Sequence, residues 1–218
     1  MKVRTFTGGP FAENGYLVVC EHTGVAVAVD PGAAAGEMAR VATSDALDLQ
    51  SILITHAHID HVEGVHLVRA VAPEAPIWLH PADRALYDAL GDQAAMFGLE
   101  FTPPPPPDDA FEHGQRFPFG DCALRVRHAP GHSPGHVILV GERGAGVALV
   151  GDVIFQAAIG RTDLPGGDFY TLMRSIREQV LTLPDETVLH PGHGPSTTVG
   201  FERVGNPFLI PQYRGEMA

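Results

Sequence analysis

The chain opens with three short runs of apolar and β-branched residues, Lys2 to Phe6, Gly15 to Cys20 and Val25 to Val29, separated by Gly-Gly-Pro and His-Thr-Gly breaks. Such runs bounded by turn residues predict antiparallel strands in a meander. Ala33 to Thr43 then spaces Met38 and Val41 for one helical face, and Ser51 to Ile54 reads as a short buried strand. Glu63 to Val71 predicts a helix stopped before Pro73, Ile77 to Leu79 a strand, and Pro81 to Leu90 another helix. Beyond the prolines Pro103 to Pro107, strand patterns return at Cys122 to His128, Val137 to Val140 and Val147 to Val150. Phe169 to Val180 supplies a helix and Thr187 to Leu189 a last strand. Each half therefore carries strands followed by helix and strand. The expectation is two layers of one sandwich, with the stiff proline segment crossing between them and helices covering the outer faces.

Composition narrows the picture. With 218 residues, 44% of them apolar and 18% charged, the chain lies in the globular range and is expected to form a single domain over residues 1–218. No apolar run approaches the roughly 18 residues that span a bilayer. The first ten residues lack the apolar stretch of a secretory signal, so the expected setting is cytoplasmic. A formal charge of −12, from 14 basic against 26 acidic residues, disfavours binding to a phosphate backbone. Nucleic acid and membrane are thus set aside as partners in favour of a small molecule. Cys20 and Cys122 sit in apolar alternating stretches and read as free thiols, with a buried disulfide as the alternative. The anomaly is histidine: His56, His58 and His61 fall within six positions.

These three belong to Thr55-His56-Ala57-His58-Ile59-Asp60-His61, directly after a predicted buried strand. Imidazole and carboxylate are preferred ligands of divalent transition metals, and strand-end loops present such groups on a rigid scaffold. Four donors so close together fit poorly around one tetrahedral ion. They suit two neighbouring ions, with His56 and His58 facing one, and Asp60 and His61 the other. Ala129-Pro130-Gly131-His132-Ser133-Pro134-Gly135-His136, Gly151-Asp152 and Pro191-Gly192-His193-Gly194 each adjoin a predicted strand and add further donors. Asp30, which ends a strand, is a candidate hydrogen-bond partner for the first histidine loop.

On these residues the sequence resembles the metallo-β-lactamase-fold hydrolases, whose H-x-H-x-D-H motif matches residues 56 to 61 and whose later ligands match His132, Asp152 and His193. The resemblance implies an α/β fold, an αββα sandwich with two β-sheets flanked by helices and the site at the sandwich edge. It also implies a binuclear centre: His56, His58 and His132 on one metal, Asp60, His61 and His193 on the other, and Asp152 bridging. Zinc is the first expectation for the two divalent ions, and iron or manganese would suit the same ligands. Gly160-Arg161-Thr162-Asp163-Leu164-Pro165-Gly166-Gly167-Asp168 and the segment from Pro191 to Phe208 are similar to the short bacterial type II glyoxalase II branch. The C-terminal helical glutathione-binding domain of the long enzymes is not expected here. Arg161 aligns with a basic position that contacts glutathione in those enzymes.

The activity so implied is hydrolysis of an S-2-hydroxyacyl-glutathione, such as S-lactoylglutathione, to a 2-hydroxy acid and glutathione by a metal-bound hydroxide. Asp60 would orient the hydroxide and Asp152 would hold the metals. A thiol, with a pKa near 8.5, leaves without a dedicated acid, whereas the amine of a lactam must be protonated. Two other readings share the fold: a persulfide dioxygenase with one iron on His56, His132 and Asp152, and a lactonase. The final Gly192-His193-Gly194 favours the hydrolases.

Overall fold

The computed structural model describes residues 1–142, 144 and 146–210; the end of the expected domain, residues 211–218, lies outside them. Two six-stranded sheets form the centre. The first contains β1 (Lys2–Gly8), β2 (Glu13–Val19), β3 (Val25–Val29), β4 (Asp48–Leu53), β5 (Ile77–Leu79) and β6 (Asp109–Ala110), in that order. Its first three strands are antiparallel and the rest run parallel to β3. Parallel neighbours need crossovers, and these are α1 (Ala35–Ser44), the pair α2 (Ile59–Val62) and α3 (Val65–Val71), and the pair α4 (Arg84–Asp88) and α5 (Leu90–Phe97).

The second sheet is built from β7 (Arg116–Phe119), β8 (Cys122–His128), β9 (Val137–Gly141) and β10 (Val147–Gly151), all antiparallel neighbours. A small hairpin, β11 (Ile154–Phe155) with β12 (Ala158–Ile159), follows, then α6 (Phe169–Ser175) and a π-helical turn at Ile176–Val180. β13 (Val188–Pro191) returns parallel to β10, and β14 (Thr197–Thr198) and α7 (Val199–Gly205) close the described chain.

Both faces of the central strands are covered, which is why β2 and β3 are buried along their whole length. Val18, Val27 and Leu53 of the first sheet pack against Leu124, Val126 and Leu139 of the second. Met38, Val65 and Val68 cover the first sheet from outside, while Leu172, Ile176 and Val199 cover the second. The layers are thus helix, sheet, sheet, helix, as expected. Cys20 and Cys122 carry free thiols.

Four expectations need correction. The proline segment does not itself cross between sheets: it leads back to β6 in the first sheet, and the crossing falls between Ala110 and Arg116. The helix expected over Glu63 to Val71 is α3, from Val65, and a separate helical turn, α2, precedes it, so Asp60 and His61 sit on α2 rather than in a loop. Pro81 to Leu90 is a 3-10 turn, Pro81–Asp83, followed by α4, and α5 extends the helical region to Phe97. β7 and α7 lie where no element was predicted; β7 contains Pro118, which an edge strand tolerates.

Ile52 is fully buried between β4 and the outer helices. Ile52→Ala is expected to lower the unfolding free energy by about 2–5 kcal/mol in urea titrations. A loss below about 1 kcal/mol would contradict this packing.

Candidate metal centre

The donor-bearing segments follow strand ends that gather on one edge of the sandwich: residues 55–61 after β4, residues 129–136 after β8, Asp152 after β10 and Gly192–His193 after β13. Ligand sites in open α/β sheets form beyond the carboxyl ends of parallel strands, and β4, β10 and β13 meet that condition. Glycine permits the close approach of the loops. A side chain at Gly192 would collide with Asp152 Oδ1 and His61 Cε1, and Gly151 holds φ +47, a left-handed conformation that turns the chain into Asp152.

All seven expected donors come together, in two groups. His56, His58 and His132 form the first. His132 Nε2 lies 3.2 Å from His56 Nε2 and 2.8 Å from His58 Nδ1. Asp60, His61 and His193 form the second, with His193 Nε2 3.3 Å and His61 Nε2 3.9 Å from Asp60 Oδ2. Asp152 stands between the groups: Oδ2 is 3.4 Å from His132 Nε2 and 3.5 Å from His193 Nε2, and Oδ1 is 3.4 Å from His61 Nε2.

The far nitrogens fix what the near ones present. His132 Nδ1 donates to the Arg161 carbonyl at 2.8 Å, and His193 Nδ1 donates to the Phe11 carbonyl at 3.0 Å. His61 Nδ1 donates to Asp30 Oδ2 at 3.1 Å. Thr55 Oγ1 gives its proton to Asp30 Oδ2 and so accepts from His56 Nδ1. A carbonyl or carboxylate oxygen accepts only, so each of these imidazoles carries a proton on Nδ1 and aims Nε2 at the centre. The Nε2 lone pairs of His56 and His132 consequently confront each other, and His61 Nε2 and Asp152 Oδ1 are buried without a hydrogen-bond partner. A cation between such groups removes the repulsion, so the donor set fits divalent metals.

Protonation follows the same division. Burial, reinforced by neighbouring imidazoles, holds His56 well below its ordinary range and brings His58 down to about 3, leaving both neutral as ligands require. Burial also acts against charge on His61 and His193, yet the carboxylates of Asp152 and Asp60 overcome it, raising His61 well above its ordinary range and His193 to about 10. Desolvation would raise the two carboxylates, but His61 and His193 hold Asp60 and Asp152 low.

Several supporting residues carried little or no signal in the sequence. Asp83 is fully buried and its carboxylate accepts from Ala57 N at 3.0 Å, Ser133 Oγ at 2.7 Å and Gly135 N, tying the first histidine loop to the second. Gln93 of α5 clamps the same loop, accepting from Ile59 N and donating to the Ala57 carbonyl, both at 3.0 Å. His136 is no ligand: its Nε2 accepts from Asp152 N at 2.9 Å, and its ring stacks on His56 at 4.6 Å. Asp30 acts as expected, also accepting from Thr55 N at 2.7 Å, and it does so at φ +47, strained for a non-glycine residue. Asn14 and Tyr16 brace the last loop by donating to the Pro191 carbonyl at 3.1 and 2.6 Å.

Arg161 lines the cleft over the centre, and its guanidinium makes two bonds to Asp163, at 2.7 and 2.8 Å. Because His61 and His193 hold protons at neutral pH, a divalent ion must displace them, so affinity rises with pH by about tenfold per unit for each proton lost. Calorimetric zinc titration at pH 7 in two buffers of different ionisation heat is expected to show release of at least one proton per chain; release of none would contradict the assigned protonation.

Residues 8–193 match the family model described as Metallo-beta-lactamase superfamily. The chain is similar to the hydroxyacylglutathione hydrolase GloC of Haemophilus influenzae, with 37% identity over 202 residues covering 91% of this chain and 93% of that protein. Among solved structures, the BLEG-1 B3 metallo-β-lactamase superposes with a TM-score of 0.88 at 36% identity, over 96% of this chain and 100% of that one. TTHA1623, solved in a di-iron-bound form, gives 0.86 at 41% identity, over 95% and 100%. The likeness to GloC fits the glyoxalase II-like branch, and the chain belongs to the metallo-β-lactamase superfamily.

Proposed function

We propose that this metallo-hydrolase cleaves thioesters of the S-2-hydroxyacyl-glutathione type, adding water across the acyl–sulfur bond to give a 2-hydroxy acid and a free thiol. The observation that carries this reading is the composition of the cleft. Apart from the candidate ligands, its polar lining consists of Gln93, whose amide is committed to the backbone, and Arg161, which is never a proton donor at neutral pH. Among the described residues the lining thus offers no separate general acid. A thiolate needs none, whereas the amine of a β-lactam does.

In this reading His56, His58 and His132 hold one divalent ion, Asp60, His61 and His193 the second, and Asp152 both. Such a pair supplies, when bound, an activated water and a Lewis-acid face for the carbonyl oxygen. Asp60, held ionised and 15% exposed to the cleft, accepts a hydrogen bond from the attacking water and so fixes its direction. Asp30, Thr55, and the Phe11 and Arg161 carbonyls keep the imidazoles in one tautomer through the cycle. Arg161 stands at the rim, its guanidinium paired with Asp163 in an exposed and exchangeable bond.

The dioxygenase reading would use His56, His132 and Asp152 alone. The second group, with His193 Nε2 3.3 Å from Asp60 and 3.5 Å from the shared Asp152 carboxylate, favours the two-ion hydrolase over it.

Thiol release from S-lactoylglutathione by the metal-loaded protein tests the proposal. Loss of an outer hydrogen-bond partner costs about 10–100-fold in metal affinity or activity, so Asp152→Ala, which removes the shared ligand, is expected to cost more than about a hundredfold. Full activity in that variant, or oxygen uptake with glutathione persulfide in place of thioester cleavage, would overturn it.

A further inference from the structure

Two apolar groups line the cleft beside the centre. Phe11, from the turn before β2, meets Phe97, at the end of α5, edge to face at 5.2 Å. Phe155 and Ile159 of the β11–β12 hairpin line the same cleft, together with Leu164. Phe155 also sets its ring edge-on to His193 at 5.9 Å, so this flank reaches the reacting region. The whole cleft, candidate ligands included, offers about 360 Å³, room for a branched or aromatic group beside the scissile bond.

Charge recognition in the same cleft is sparse. Arg161 is the sole cationic side chain, other than the candidate-ligand imidazoles, among the described lining residues, and Asp163 already engages it twice. A carrier such as glutathione, with two carboxylates and an ammonium group, finds few partners there. An apolar acyl chain finds five side chains that shed water on contact with it.

We propose that the cleft selects its substrate through an apolar acyl chain held between Phe11–Phe97 and Phe155–Ile159–Leu164, with the polar body of the thiol carrier directed to solvent. The inference rests on the thioesterase reading. It assigns acyl specificity to the β11–β12 hairpin, and it makes lactoyl, whose side chain is a single methyl, a poor substrate beside 2-hydroxyacyl groups with larger branched or aromatic side chains.

Steady-state kinetics on a series of glutathione thioesters carrying lactoyl, 2-hydroxybutyryl, 2-hydroxyisocaproyl and phenyllactoyl groups tests it. In the wild type kcat/KM is expected to rise about fourfold per buried methylene. A second series holds lactoyl constant and replaces glutathione by N-acetylcysteamine, for which a change of less than about threefold is expected. Phe155→Ala and Leu164→Ala should each lower the phenyllactoyl-to-lactoyl ratio of kcat/KM by at least about fivefold. That ratio is independent of how much variant folds or loads metal. Lactoyl turnover with a flat acyl series, with a preference that follows the thiol, or with an unchanged ratio in both variants overturns the proposal and leaves the thioesterase reading standing. Hydrolysis of none of these thioesters overturns both.

Discussion

The arrangement of the site depends on a repulsion built into the protein. Four imidazoles donate Nδ1 protons outward, to Asp30, Thr55, and the Phe11 and Arg161 carbonyls, and so turn Nε2 inward, as a bare lone pair on His56 and His132. Two ionised carboxylates, Asp60 and Asp152, point at the same space. Imidazole lone pairs 3.2 Å apart in a buried region repel each other, and positive charge between them relieves that repulsion. Part of that charge is supplied by protons on His61 and His193, which are therefore the groups that exchange protons for metal.

The fold withstands this repulsion because each donor is anchored to a buried strand end and cross-linked to another loop. Asp83 joins the loop after β4 to the loop after β8. His136 carries the backbone of Asp152, and Asn14 and Tyr16 carry Pro191 immediately before Gly192–His193. Removal of an anchor would let a ligand relax away from its neighbours, so the supporting residues govern metal affinity without touching the ion. The apolar flanks belong to different structural units: Phe97 lies on α5, which also holds the first histidine loop through Gln93, while Phe155 and Ile159 lie on the hairpin that follows Asp152. The apolar lining and the metal loops thus share supports.

How much of this was legible in the sequence depended on how local each signal was. His56, His58, Asp60 and His61 stand within six positions, and their spacing alone implied two facing pairs. His132, Asp152 and His193 are dispersed, and only the family resemblance joined them. Asp83 gave no signal, since its role exists only where Ala57, Ser133 and Gly135 converge. The core strands were readable from short apolar runs. β7 was not, because Pro118 argues against a strand unless its edge position is known. α5 was equally hidden: Gly91 and Asp92 weaken its helical pattern, and its docking through Leu90 and Ala94 is tertiary. The proline segment looked like a crossing because its stiffness was visible while its destination, β6, is only two residues long.

The most direct measurement of the central claim is anomalous diffraction from crystals of the metal-loaded protein. Two peaks about 3.5–4 Å apart are expected, with His56, His58 and His132 around one, Asp60, His61 and His193 around the other, and Asp152 touching both. A single peak, or two that leave Asp152 unshared, would contradict the account.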